Sequence, residues 1–217
     1  MERFTAVSFS GAKLNIYRAT PTNRPKAVVH ISHGMAEHAK RYAWFMQVLK
    51  EAGYAVYAHD IRGHGYTYAK NSSKGHFSDK HGLDQLLHDL DFVIDLIKQN
   101  HSKIPIFCFG HSLGSILLLR YVTHAYHRIN GIACWNSGIE TNLLAVIGRI
   151  ILSTERKFLH PRKRSHFAWI LTFQSWANKI KNKRTEFDWL SHDKAQVDKY
   201  IDDKLCGFDV SLQSWLD

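Results

Sequence analysis

The sequence predicts an α/β fold: a mostly parallel sheet, joined late in the chain by a helical, basic insertion. Three observations predict it. Apolar, β-branched runs of strand length at 27–32, 54–58, 104–109 and 129–135 alternate with stretches of helical periodicity, the pattern of βαβ units. A Gly110-His111-Ser112-Leu113-Gly114 segment stands where one of these runs gives way to a helix. After Gly138 the strand signals stop, and none returns before residue 205.

Each element has its own signal. Residues 4–10 alternate apolar and polar, as a half-buried strand does, and Gly11-Ala12 turns the chain into a hairpin partner at 14–18. The run 27–32 ends at His33-Gly34. Tyr42, Phe45, Met46 and Leu49 then recur at helical spacing until Gly53 stops them. Residues 54–58 form the next strand and run into the glycine-rich loop at Gly63-His64-Gly65. Leu86, Leu90, Val93 and Ile97 make one face of a helix over 83–97. The nearly uniform apolar run 104–109 suits a central parallel strand buried on both faces. A helix over 112–126 and a strand over 129–135 follow. Beyond them, 143–152 is apolar nearly all round, like a buried or lipid-facing helix. Trp169, Phe173, Trp176 and Ile180 form a helix face, and Ser191-His192-Asp193 opens a short polar helix to about 202.

Composition narrows the class. With 217 residues, 45% hydrophobic and 22% charged, the chain has the proportions of a folded globular protein of one domain plus an insertion. Cys108, Cys134 and Cys206 are odd in number and widely spaced, with no CxxC pair. They build neither a disulfide framework nor a zinc site, which fits a reducing, cytoplasmic setting. The N-terminus lacks the apolar core of a signal peptide. The most membrane-like stretch, 143–152, is interrupted by Arg149 and is about half the length of a span. The net charge is +10, and between residues 149 and 190 ten basic residues face three acidic ones. That segment includes Arg162-Lys163-Arg164, which reads equally as a solvated loop or as a contact with an anionic membrane surface. No nucleic-acid-binding motif accompanies the charge. Fifteen histidines include no HExxH, so no metal site is expected.

The chemistry concentrates at Ser112. A serine between a strand and a helix occupies a tight, strained turn, and small glycines on either side let the backbones approach. The turn lifts the hydroxyl above the sheet, over the N–H groups and partial positive charge of the helix N-terminus. A chance G-x-S-x-G is the competing reading, and the strand–helix context disfavours it. His33-Gly34 is weak alone and gains weight beside this turn. Asp60-Ile61-Arg62-Gly63-His64-Gly65 reads as a loop held by hydrogen bonds rather than as catalytic residues.

His33-Gly34-Met35-Ala36-Glu37-His38 with Arg41-Tyr42, then 53–58, Asp60 to Gly65 and Gly110 to Gly114 resemble the monoacylglycerol lipase and lysophospholipase branch of the α/β-hydrolases, the serine aminopeptidase S33 group. Trp189 to Asp193 and Leu205 to Phe208 resemble the end of that family's cap. Ser115, Thr67 and Lys204 are small departures, at positions where glycine, serine and proline are common in the family. The resemblance implies a mostly parallel sheet with helices on both faces and a helical cap. It divides the chain into a core at 1–137, a cap at 138–205 and the start of the return to the core at 206–217. It further implies Ser112 as nucleophile, Met35 and Leu113 as the oxyanion N–H donors, a lipid ester as substrate, and no cofactor.

One departure is large. In the family the acid and base follow the cap. The histidines after Ser112 are His124, His127, His160, His166 and His192, and the one aspartate that precedes any of them in this stretch is Asp188, inside the cap-like segment. No residue inherits either role, so the expectation is a C-terminally truncated copy that lacks the last strands. Two readings stay open. One is a serine esterase acting on monoacylglycerol, lysophospholipid or short acyl esters. The other is a catalytically impaired remnant that binds lipid or a partner.

Overall fold

The computed structural model describes residues 1–137 and 143–217. Six strands form one sheet: β1 (Glu2–Val7), β2 (Lys13–Ala19), β3 (Val28–Ser32), β4 (Ala55–His59), β5 (Ile106–His111) and β6 (Gly131–Trp135), in the order β1-β2-β4-β3-β5-β6. The β1–β2 hairpin closes through Gly11, whose φ of 78° lies in the left-handed region that glycine enters without steric cost. The β1–β2 and β2–β4 pairings are antiparallel, and β3 with β4, β3 with β5 and β5 with β6 are parallel. The chain leaves β3 toward β4 and then returns past it to β5. This places a reversal of strand order at the carboxyl ends of β3 and β5, where α/β sheets gather their ligands.

Helices cover both faces. Leu86, Leu90, Val93 and Ile97 of α2 (Gly82–Asn100) and Leu117, Leu118 and Tyr121 of α3 (Leu113–Ala125) pack with Leu14, Val28 and Tyr57. On the opposite face Met46 of α1 (Ala43–Glu51) meets Tyr17, Ile31, Val56 and Ala58. The alternation within each strand thus assigns successive residues to two cores.

One expectation fails at β5. It is not buried on both faces: Ile106, Cys108 and Gly110 are buried, but Phe107 is 42% exposed. The reason is lateral position. Among the described residues α1 is the helix on that face, and it packs on β4 and β2. Phe107 and the neighbouring edge strand β6 are left uncovered.

The second half is helical, with no strand in its described residues up to 205. It comprises α4 (Leu143–Phe158), α5 (His166–Trp169), a π-wound turn at Ile170–Gln174, α6 (Ser175–Asn178), α7 (Lys194–Asp202) and α8 (Leu212–Leu216). Its expected start at 138 lies outside the described residues. Helix α4 is amphipathic rather than uniformly apolar in its setting: Leu152 packs with Ala168 and Leu212, whereas Val146, Ile147 and Ile150 are exposed. Phe173 packs against Trp176, Trp189 and Trp215. Polar bonds fasten this half to the sheet domain. Tyr200 Oη and the Gly207 N–H donate to the Ala36 carbonyl at 2.9 and 3.0 Å, and His38 pairs with Asp203 at 2.8 Å. Arg162 grips Asp79 at 2.7 Å through two nitrogens. The Phe77 N–H donates to Ser214 Oγ at 2.8 Å.

Candidate active site

Ser112 joins β5 to α3 at φ 51° and ψ −116°, a conformation that a non-glycine residue holds only when its surroundings impose it. Its N–H donates to the Trp135 carbonyl at 2.9 Å, and its own carbonyl receives the N–H groups of Ser115 and Ile116 at 2.9 and 3.1 Å. The two glycines of the motif are sterically required. A Cβ at Gly110 would lie 2.6 Å from the Gly114 carbonyl oxygen, and one at Gly114 would overlap the Ser32 carbonyl. Ser115, a departure from the family pattern, is used here: its Oγ donates to the Gly110 carbonyl at 2.6 Å and accepts the Trp135 N–H at 3.1 Å. It thereby ties β5, α3 and β6 together.

The loop after β3 lies alongside. Ser32 is in register with Gly110, so His33-Gly34-Met35 leaves the sheet beside the turn that carries Ser112. Two buried histidines anchor it. His33 Nε2 accepts the Ile61 N–H at 2.9 Å, which leaves Nδ1–H to donate to the Gly34 carbonyl at 2.7 Å. His64 Nε2 accepts the Ala36 N–H at 3.1 Å, and its Nδ1–H donates to the Arg62 carbonyl at 3.2 Å. Burial lowers their pKa values to about 4 and about 3, so both rings are neutral at physiological pH. Met35 is held between two residues whose N–H groups are already engaged, Gly34 by Glu37 Oε1 at 2.6 Å and Ala36 by His64. Among the described residues no protein acceptor is bonded to the Met35 or Leu113 N–H.

The Asp60–Gly65 loop has the structural part expected of it. Asp60 accepts from the Ala39 N–H, the Tyr66 N–H and Asn15 Nδ2 at 2.8–2.9 Å. Arg62 pairs with Asp89 at 3.0 Å, both fully buried.

Sequence reasoning did not single out the hub between the two loops. Glu37 is buried and accepts from the Gly34 N–H, Tyr42 Oη, His111 Nδ1 and Arg41 Nε. Burial works to raise its pKa, but the bond from His111 leads the opposing effects and the carboxyl stays at about 2. Its signal in the sequence was an acidic residue inside a stretch that otherwise turns inward.

Of the later histidines, His166 stacks on Trp169. Asp188 is engaged by the Arg184 N–H and Thr185 Oγ1 at 2.5 and 2.7 Å, not by His192. His38, Asp203 and Cys206 bring three ligand-type atoms within 4.8 Å of one another. His38 Nε2 bonds Asp203 at 2.8 Å, and the Arg41 guanidinium lies beside Asp203 and Cys206, so the cluster latches the two halves together. Among the described residues no helix is long and apolar enough to cross a membrane.

Comparison with known proteins places this geometry. The family described as serine aminopeptidase, S33, matches residues 23–217. A monoacylglycerol lipase of Mycolicibacterium smegmatis is 35% identical over 47% of this chain and 34% of its own length. A monoglyceride lipase of Rattus norvegicus is 32% identical over 45% of this chain and 30% of its own. The aligned part thus spans about a third of these curated relatives. In structure, a carboxyl esterase from Bacillus coagulans superposes with a TM-score of 0.86 at 24% identity, covering 99% of this chain and 70% of that one. A monoglyceride lipase variant from Saccharomyces cerevisiae gives 0.73, also at 24% identity, over 100% and 66%. A serine turn of this geometry at a reversal of strand order, with a family match over nearly the whole length, leads to one assignment: the chain has the α/β-hydrolase fold and belongs to the serine aminopeptidase S33 family.

Proposed function

We propose that the protein is a serine hydrolase of carboxylic esters, acting on monoacylglycerol or lysophospholipid-like lipid monoesters. The observation that carries this reading is the backbone of Ser112, held at φ 51° between β5 and α3. In this reading Ser112 Oγ attacks the ester carbonyl, the Met35 and Leu113 N–H groups bind the oxyanion, and water releases the acyl group from the serine. Residues 1–137 form the core, 138–205 the cap and 206–217 the return to the core. The cap brings aromatic surface to the loop that carries Met35: Trp169, Phe173, Phe187 and Tyr200 border a water-sized cavity against Ala36. Exposed Val146, Ile147 and Ile150, on the same segment as the basic cluster, support peripheral contact with an anionic membrane.

A second reading, a lipid- or partner-binding module with impaired catalysis, is favoured by the histidines. His33 and His64 are spent on backbone bonds, His111 bonds Glu37 through Nδ1, and His166 stacks on Trp169. A serine without an imidazole partner is a weak nucleophile.

A fluorophosphonate probe separates the two. The hydrolase reading expects covalent labelling that Ser112→Ala abolishes, together with release of fatty acid from monoacylglycerol. An unlabelled Ser112 in folded protein supports the binding module. For the membrane contact, sedimentation with phosphatidylserine vesicles is expected to weaken between low salt and about 0.5 M salt, because screening shortens the reach of the basic cluster to below about 8 Å.

A further inference from the structure

We propose that Glu37 is a positioning residue that fixes the distance between the two backbone segments of the oxyanion site. The inference rests on the hydrolase reading for its function and on the hydrogen bonds of one carboxylate for its mechanism. Glu37 Oε1 receives the Gly34 N–H at 2.6 Å, Tyr42 Oη–H at 2.8 Å and His111 Nδ1–H at 3.1 Å. Gly34 directly precedes Met35, and His111 directly precedes Ser112. A single oxygen atom therefore holds the loop after β3 and the turn after β5 together. Gly34 leaves no slack in this arrangement, since a Cβ there would come 2.7 Å from Oε1 and 2.9 Å from His111 Nδ1.

The chemistry excludes an electrostatic role. A fixed anion near an oxyanion opposes the charge that develops there, so Glu37 contributes geometry rather than potential. Its own charge is answered on the other side, where Arg41 Nε–H donates to Oε2 at 3.1 Å. Hydrogen bonds to an ionised acceptor are about twice as strong as neutral ones, which suits a clamp. Oxyanion donors misplaced by even about 1 Å forfeit much of their effect, on the order of 100-fold in rate.

Two readouts test the clamp. The first needs no catalysis. Amide hydrogen exchange at Gly34, read by NMR on the full chain, is expected to accelerate at least about tenfold in Glu37→Ala, while Cys108 in β5 keeps its wild-type rate. Glu37→Gln retains an acceptor oxygen and is expected to keep Gly34 protected. The second is the rate of fluorophosphonate labelling at Ser112, expected to fall on the order of 10- to 100-fold in Glu37→Ala and to be largely rescued in Glu37→Gln. Unchanged Gly34 exchange in a folded Glu37→Ala protein overturns the clamp. So does full-rate labelling in that variant. If wild-type Ser112 takes no label, the hydrolase reading fails, and the exchange measurement decides the clamp alone.

Discussion

At Ser112 the backbone is held in a conformation that a non-glycine residue reaches only at a cost of roughly 1–3 kcal/mol, and the surrounding bonds to Trp135, Ser115 and Ile116 supply the compensation. Glycine at that position relaxes the strain and alanine does not. Ser112→Gly is therefore expected to be more stable than Ser112→Ala by about 1–2 kcal/mol in urea unfolding, with both silent toward a fluorophosphonate. Equal midpoints would mean the strain is absent in solution. A second residue-scale expectation concerns acid. His33 and His64 have pKa values lowered from 6.5 to about 4 and about 3, and Glu37 from 4.5 to about 2. All three are depressed in the folded state, so their stabilising effect is complete above the unfolded values and is lost as pH falls through the folded ones. Urea midpoints should decline from near pH 6.5 as the unfolded chain takes up protons on the histidines. They should decline further below about 4.5, where Glu37 joins. A flat profile between pH 7.5 and 5 would show that the buried imidazoles ionise freely.

The elements of the sheet domain were legible because periodicity and punctuation agreed. Gly11 and Gly53 sit where the chain turns, at φ 78° and 92°, and the apolar face of α2 that was read as Leu86, Leu90, Val93 and Ile97 is the face that is buried. What the sequence could not convey was lateral placement. A run such as Ile-Phe-Cys-Phe records that a strand is apolar, not whether a helix lies over Phe107. The Glu37 hub was equally hidden, because its donors come from Gly34, Arg41, Tyr42 and His111, which no local spacing connects. The strand-to-helix turn at Ser112 was legible because its constraint is local, written in five consecutive residues. The polar helix after residue 191 was local in the same way. Asp193 caps α7 by accepting the Ala195 N–H at 2.9 Å, and Asp193→Ala should cost about 1 kcal/mol. Asp193→Ser should recover most of it in the same denaturation assay.

Over the whole molecule, part of the exposed apolar surface lies where the sheet stops, apart from that on α4. Strand β6 pairs with β5 on one side and is the last strand in the sheet order; Trp135 on it is 62% exposed, and Phe107, paired with Gly131 at the other end of the strand, is 42% exposed. An open strand edge with apolar neighbours templates association. The 217-residue chain is expected to self-associate with rising concentration in sedimentation velocity, and Trp135→Lys should suppress this without lowering the urea midpoint. A monomer up to high concentration would show that this edge is protected by other means.

The strand order also dictates when a growing chain can first become a domain. Leaving the ribosome, β1 and β2 meet at once as a hairpin, but β3 emerges before either of its neighbours. It acquires β4 on one flank and stands open on the other until Ile106–His111 has been synthesised. The loop that carries Met35 therefore stays without the turn that carries Ser112 through the whole synthesis of α2. Long-range parallel pairing of this kind is slow and leaves apolar edges open to chaperones. Arrest-peptide force profiles should stay low until β5 and α3 clear the exit tunnel and then rise in one step, since the nascent site and the core behind it are completed by the same strand–helix unit.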